Sequence, residues 1–225
     1  MTAIFVTATG TDIGKTFVTA GLVRAFRRAG RTVEALKPVI SGFAMDGLAA
    51  SDTGILLAAM GRQLVPEEAE GISPWRFKAP LSPDMAAEAE GSSIDFDALL
   101  DFSRQRIAAR KGALLIEGVG GIMVPLDTNH TTLDWMAALE LPVLLVAGSY
   151  LGTISHTLSA LDVLERRGLK VAAVAVSESE DSAVGLEQTV AAVQRFTPWS
   201  VVALPRQPDE TAFDKLVARF FGRSV

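Results

Sequence analysis

Continuously apolar runs alternate along this chain with stretches in which apolar positions recur at helical spacing. The apolar runs predict strands at Ala3–Thr7, Val33–Leu36, Ala113–Ile116, Val143–Val146, Val171–Val176 and Val201–Leu204. Several carry no polar residue at all, the pattern of strands buried on both faces of a parallel sheet. Between them the periodicity predicts helices over about Lys15–Ala29, Asp52–Met60, Phe96–Arg110, Thr132–Leu139, Ile154–Arg167 and Ala183–Arg195. Gly30, Gly61 and Gly168 stand where such helices should end. This βα alternation predicts an open, mostly parallel α/β sheet with helices on both faces. The long stretch between the second and third strands is expected to hold two of those helices and a proline-rich loop (Pro66, Pro74, Pro80, Pro83). No repeat, low-complexity tract or linker interrupts the pattern, so residues 1–225 are expected to form a single domain.

Ligands of such sheets bind at the carboxyl ends of the strands. The first strand is followed by Thr9-Gly10-Thr11-Asp12-Ile13-Gly14-Lys15-Thr16. A strand, a glycine-containing turn and Gly-Lys-Thr opening a helix make a phosphate-binding P-loop. Its backbone N–H groups and the helix N-terminus converge on one anion. Lys15 would add a point charge to the β/γ-phosphates, and the Thr16 hydroxyl would ligate Mg²⁺. The strict pattern has glycine where Thr9 stands, and a chance Gly-Lys-Thr in a surface turn is the alternative; the strand-before, helix-after context argues for the motif.

The other strand ends supply further candidates. Lys37 ends the second strand, where it could neutralise charge on a transferring phosphoryl group; on position alone a solvated surface lysine is an equal reading. Ser41 lies in a tight turn just beyond. Glu117 follows Ala113-Leu114-Leu115-Ile116 as a metal-holding carboxylate would, with Gly118, Gly120 and Gly121 letting backbone approach a ligand; a glycine turn with an incidental acid is the alternative. Asp52, at a helix start, reads most simply as an N-cap or first-turn acid. Asp12, inside the loop, could simply accept backbone hydrogen bonds. Gly148 to Thr153 could hold a carboxylate at a helix N-terminus, or be an ordinary βα loop. His130 and His156, the only histidines, have no metal-ligand spacing and receive no catalytic role.

Composition narrows the class. With 49 % hydrophobic and 21 % charged residues the chain can build a substantial core. A net charge of −5 does not favour a nucleic-acid partner. The absence of cysteine excludes disulfides and thiolate metal sites. The chain opens directly on a strand and the phosphate loop, so no signal peptide is expected, and no apolar run approaches the ~20 residues of a membrane span. A cytoplasmic protein with no membrane partner is the expectation.

Taken in order, Thr9 to Thr16, Lys37-Pro38-Val39-Ile40-Ser41-Gly42, Ser51-Asp52, Pro80-Leu81-Ser82-Pro83, Glu117-Gly118-Val119-Gly120-Gly121 and Leu151-Gly152-Thr153-Ile154 resemble the dethiobiotin synthetase family over nearly the whole chain. The resemblance implies closure of 7,8-diaminononanoate, CO₂ and ATP to dethiobiotin, ADP and phosphate, by way of a carbamate and a carbamic–phosphoric anhydride. ATP is then a co-substrate and Mg²⁺ the cofactor. Carried over by position, Lys15 and Lys37 hold the γ-phosphate and the carbamate. Thr16, Asp52 and Glu117 surround Mg²⁺. The nucleotide lies along Asp12, Ile13, Gly14, Lys15, Thr16, Phe17, Asp52, Glu117, Gly118, Val119 and Gly120, with its base near Ser177, Glu178, Leu204, Pro205 and Arg206. Ser41 meets the diamine. Leu151, Gly152, Thr153 and Ile154 hold the substrate's carboxylate tail from the partner chain of a homodimer whose site lies at the interface.

Some positions depart from that family. Ala8 replaces a glycine, Asp12 a glutamate, and Arg206 does not follow the usual residue type. Ser177-Glu178 stands where Asn-Asp often reads adenine. A hydroxyl lacks the donor-plus-acceptor edge of an amide, which predicts weak discrimination among bases. A membrane-associated ATPase of the division or partition type is the rival reading. It expects a second lysine near Gly10, and an amphipathic C-terminal helix, for which Phe213, Leu216, Val217 and Phe220 have the spacing and Lys215, Arg219 and Arg223 the charge; Asp209, Glu210 and Asp214 oppose that charge, and a helix docked on its own core is the simpler reading. Corrinoid amide ligases and nitrogenase-type iron proteins both need cysteines this chain lacks.

Overall fold

The computed structural model describes residues 3–180, 182–209 and 211–221, the last three by backbone alone. Its strands are β1 (Ala3–Ala8), β2 (Val33–Leu36), β3 (Val39–Ile40), β4 (Trp75–Arg76), β5 (Ala113–Glu117), β6 (Val143–Gly148), β7 (Val171–Ser177) and β8 (Val201–Leu204). Its helices are α1 (Lys15–Arg28), α2 (Asp52–Met60), α3 (Pro66–Ile72), α4 (Pro83–Ala89), α5 (Phe96–Ala109), α6 (Thr132–Leu139), α7 (Thr153–Arg166), α8 (Leu186–Gln194) and α9 (Asp214–Phe221).

Six strands form one parallel sheet in the order β2-β5-β1-β6-β7-β8. Every residue of β1, β5 and β6 is buried, so both faces of the sheet centre are covered, as their unbroken apolar runs require. The chain leaves β1 for the outer strand β2, returns to insert β5 between them, and then crosses to β6 on the far side of β1. That reversal opens a crevice above the carboxyl ends of β1 and β5, where a doubly wound sheet binds its ligand. Phe5 and Trp135 pack edge to face at 4.9 Å beneath it, and the Trp135 indole donates to Ser103 Oγ at 3.2 Å.

The stretch between β2 and β5 departs from the sequence expectation. It holds four helices, α2 to α5, a 3₁₀ turn at Met45–Ala50 and a two-stranded parallel pair, β3 with β4, in place of two helices and a loop. Pro66 and Pro83 open α3 and α4, where a missing N–H leaves nothing unsatisfied. At seven residues each, these helices are too short to register as a periodic signal. The helix expected from Ala183 begins only at Leu186, because Gly185 is extended.

The C-terminal helix docks on the core. Phe213 and Leu216 are buried, and the Phe213 ring meets Phe17 of α1 at 5.6 Å between centroids. The side chains of Phe220 and Arg219, with Glu210 and Arg223, lie outside the described residues. Gly21 makes this docking possible: a Cβ there would come within 2.1 Å of the Phe213 ring. Gly21→Ala is therefore expected to destabilise the protein by about 1–3 kcal/mol in urea unfolding through overpacking. Combined with Phe213→Ala it should cost less than the sum of the two single changes, because one contact is shared.

Candidate active site

The phosphate loop is shaped by two left-handed residues. Asp12 has φ 56° and Gly14 has φ 100°. At Gly14 glycine is doubly required, since a Cβ would also lie 2.6 Å from Ser177 Oγ. Gly14 caps α1 without any side-chain bond to its first-turn N–H groups, and no acid stands in that turn. Those donors face the crevice with the positive end of the helix dipole behind them. The loop is held on one side by the Thr9 N–H to Val146 C=O bond at 3.0 Å, and on the other by the close approach of Gly121 to Gly10. The Thr9 hydroxyl, where the strict motif has glycine, is buried and has no protein partner.

Around this loop opens a cleft of about 440 Å³, lined among others by Asp12, Gly14, Lys15, Thr16, Phe17, Lys37, Ser41, Asp52, Val119 and Gly120. Lys37 is almost fully enclosed. Its Nζ donates to Glu117 Oε1 at 2.8 Å and to the Gly118 carbonyl at 2.9 Å, and pairs with Asp52 Oδ2 at 2.9 Å. The solvated-lysine reading of Lys37 is therefore excluded. β2 and β5 are hydrogen-bonded neighbours, so Lys37 and Glu117 leave adjacent strand ends side by side. Ser51, not Asp52, caps α2, its Oγ accepting the Gly54 N–H at 3.1 Å. That leaves the Asp52 carboxylate free to point at Lys37.

The Thr16 hydroxyl donates to Glu117 Oε1 at 2.7 Å. Glu117 is completely buried, and its second oxygen, Oε2, has no hydrogen-bond partner. A buried carboxylate oxygen left without a donor is costly unless a cation completes it. Two carboxylates and a hydroxyl beside a phosphate cradle are the hard oxygen donors Mg²⁺ takes, with phosphate oxygens and water filling its remaining positions. Among the described residues no group of three or more His, Cys, Asp or Glu gathers, so no all-protein metal cage competes with this arrangement.

The charges perturb one another. Burial and, second, the nearby Lys37 ammonium lower the Lys15 pKa from 10.5 to about 8, against the pull of Glu117, Asp52 and Asp12. Burial also works against the charge on Lys37, but Glu117 and Asp52, through charge and hydrogen bonds, outweigh it and raise its pKa. Burial pushes the Asp52 carboxyl up, and Lys37 more than reverses this, so its pKa falls below the ordinary value. Lys15 Nζ donates to the Gly10 carbonyl at 3.2 Å.

A second cleft, of about 320 Å³, adjoins the first through Asp12, Gly14 and Phe17 and adds Ile13, Ser177, Glu178, Ser179, Glu180 and Arg206. Glu178 Oε2 accepts the Arg206 N–H at 3.0 Å, and Arg206 Nη2 lies 3.4 Å from Glu180. Ser179 and Glu180 escaped the sequence reading although they directly continue the Ser177-Glu178 strand end. Two expected members are not brought here. Leu204 is in the core, offering only its carbonyl to the Glu178 N–H at 2.9 Å, and Pro205 faces a groove beside β8. Leu204, the last residue of β8, turns its side chain into the core. Leu151, Gly152, Thr153 and Ile154 also stand apart from both clefts. Leu151 is 88 % exposed, and Thr153 is buried with Oγ1 donating to the Gly148 carbonyl at 2.7 Å. Gly152, at φ 96°, caps α7 as Gly14 caps α1.

This fold and this site define a P-loop nucleotide-binding protein, and residues 2–212 match the AAA domain family. The MinD cell division protein of Pyrococcus horikoshii complexed with Mg-ADP superimposes with a TM-score of 0.55 at 18 % identity, covering 92 % of this chain and 82 % of that one. The MinC:MinD cell division complex of Aquifex aeolicus gives 0.56 at 14 % identity over 98 % and 85 %. At such identities the likeness is one of fold. Sequence relatives are more specific. The ATP-dependent dethiobiotin synthetase BioD of Acidiphilium cryptum is 52 % identical over 190 residues, 84 % of this chain and 85 % of the relative. That of Methylobacterium nodulans is 46 % identical over 211 residues, 92 % and 94 % respectively. The chain belongs to the dethiobiotin synthetase family.

The lowered Lys15 pKa has a stability consequence. Between pH 8 and 10.5 the unfolded chain binds the proton and the folded one does not, so this residue makes stability rise with pH across that window. Below pH 8 its charge is a standing cost to the fold. Lys15→Met is expected to be more stable than the parent by about 3 kcal/mol at pH 7 in denaturant titration. The advantage should fade as pH rises from 8 to 10.5.

Proposed function

We propose that this chain catalyses the ATP-dependent closure of 7,8-diaminononanoate and CO₂ to dethiobiotin, ADP and phosphate. One observation carries the reading: Lys37, paired with Asp52 and the buried Glu117, shares a cleft with Lys15 and Thr16 at the N-terminus of α1, whose cap Gly14 offers no side chain. An amine of the substrate takes up CO₂ as a carbamate, releasing a proton. A carbamate oxygen attacks the γ-phosphorus, and ADP leaves. The second amine attacks the carbonyl carbon of the resulting anhydride and expels phosphate as the ring closes. The encounter of two anions is the difficult step, and it calls for position and positive charge rather than a base. Lys15 and Lys37 supply both, one to the γ-phosphate and one to the carbamate. Thr16, Asp52 and Glu117 would hold Mg²⁺, which would supply further positive charge beside the transferring phosphoryl group.

In this reading the triphosphate runs along Asp12 to Phe17, with Val119 and Gly120 on the opposite wall, and the base enters the second cleft against Ser177, Glu178 and Arg206. Ser41, on the wall of the first cleft, meets the diamine. The chain works as a cytoplasmic homodimer, and Leu151 to Ile154 of one protomer hold the carboxylate tail of the substrate bound by the other. The exposed apolar side chains Met123 and Leu151, in the segments that follow β5 and β6, support an interface on that side. A membrane-bound ATPase is not favoured: the C-terminal helix buries Phe213 and Leu216 in its own core, and among the described residues no helix is long and apolar enough to cross a membrane.

Feeding the purified protein diaminononanoate, labelled bicarbonate, Mg²⁺ and ATP tests the reaction directly; label should appear in a cyclic urea, and ATP hydrolysis with no labelled product would defeat the assignment. Lys37→Ala and Lys15→Ala should each keep the circular dichroism of the parent and lose more than about 100-fold in turnover, the scale of one lost electrostatic stabiliser. Near-normal turnover of either would remove its role. In a panel of ATP, GTP, CTP and UTP, turnover should vary little, because the base cleft offers a hydroxyl and carboxylates where an amide would read adenine.

A further inference from the structure

The ammonium of Lys37 has three donors and three acceptors within 2.8–2.9 Å: Glu117 Oε1, Asp52 Oδ2 and the Gly118 carbonyl. Its side chain is 3 % exposed, so no water competes for those bonds on most sides. Two of the three acceptors are the carboxylates read above as metal-site residues. With Lys15 on the same cleft, Asp52 and Glu117 are matched by two ammonium groups, so these four side chains carry no net charge; Asp12, also on the cleft wall, adds one negative charge nearby.

A dication approaching Asp52 and Glu117 therefore meets a neutral group of side chains, with a resident cation under 3 Å from both carboxylates. Like-charge repulsion at that range, in a place largely closed to solvent, is strong. A polyphosphate changes the balance. It brings several negative charges to the same cleft, offers Lys37 new acceptors, and leaves the carboxylates short of positive charge.

We infer that Lys37 acts as an internal counter-cation for Asp52 and Glu117, so that a divalent ion joins these carboxylates only together with a polyphosphate. The proposal rests on the reading of Thr16, Asp52 and Glu117 as the metal-site residues and adds a second task for Lys37, separate from holding the reacting anions. It gives the buried lysine a function before any chemistry: it holds both carboxylates together, and it makes nucleotide arrival the condition for metal entry. Glu117 Oε2, buried and without a hydrogen-bond partner, is not engaged by Lys37.

Mn²⁺ binding to the whole chain, followed by the loss of the free-ion electron paramagnetic resonance signal, tests this without diaminononanoate or turnover. The parent protein should bind Mn²⁺ weakly alone and much more tightly with a non-hydrolysable ATP analogue. Lys37→Met should bind Mn²⁺ alone at least about 10-fold more tightly than the parent, since a like charge at contact distance has gone. Equal affinities of parent and Lys37→Met in the absence of nucleotide would overturn the proposal while leaving the metal site intact. If neither bound Mn²⁺ even with the analogue, the metal reading itself would fail and take the proposal with it. Should Lys37→Met not fold alone, Mn²⁺ must restore its folding while the parent folds without metal. A variant that stayed unfolded at every Mn²⁺ concentration would count against the inference.

Discussion

The site depends on one buried ammonium. Lys37 is held between a carboxylate of the neighbouring strand, a carboxylate of the first turn of α2 and a backbone carbonyl. Burying such charges is costly, and only full pairing makes it tolerable; removing one partner of a buried pair typically costs about 3–5 kcal/mol. The arrangement is therefore a constraint on the fold as much as a device for chemistry. It obliges β2 to lie beside β5, α2 to begin where Asp52 can turn inward, and the glycine loop after Glu117 to present a carbonyl. Burial in this cluster also explains why Lys15, a short distance away, gives up its proton more readily than an ordinary lysine.

The rest of the sheet supplies the setting. Continuous apolar strands bury both faces and send every loop to one edge. The insertion of β5 between β1 and β2 brings the phosphate loop and Glu117 together, although they are a hundred residues apart. Ser51 has an equally specific part. By capping α2 it satisfies the helix end, so that the acid beside it can be used elsewhere. Close contacts at Gly14 and Gly121 lock the loop between the second cleft and the Glu117 turn, and the two clefts adjoin through Asp12, Gly14 and Phe17.

Fold alone does not choose among the enzymes and ATPases built on this sheet. Cell-division proteins superimpose on nearly the whole chain at under one residue in five identical. What separates this protein from them is its likeness to sequence relatives at about half identity. The rival's other requirement, a free amphipathic C-terminal helix, conflicts with the burial of Phe213 against Phe17 and Gly21.

The chain's pattern by itself determined the strands, the long helices and the phosphate loop, because continuous burial, helical periodicity and a glycine turn each leave a local signature. It also placed Lys37 and Glu117 at strand ends and Lys15 in the loop-to-helix turn after the first strand, and so on the ligand edge. It did not reveal α3 and α4, whose seven residues are too few for periodicity and whose opening prolines look like loop. Nor did it separate Asp52 from an ordinary helix cap, or show that Leu204 faces the core, since both depend on which way one side chain turns. Only the tertiary structure decided that Lys37 is buried rather than solvated, because its three acceptors come from an adjacent strand, a following turn and a separate helix. Contacts between segments distant in sequence leave no periodic trace along the chain, and the charge pairing at the centre of this site is made entirely of such contacts.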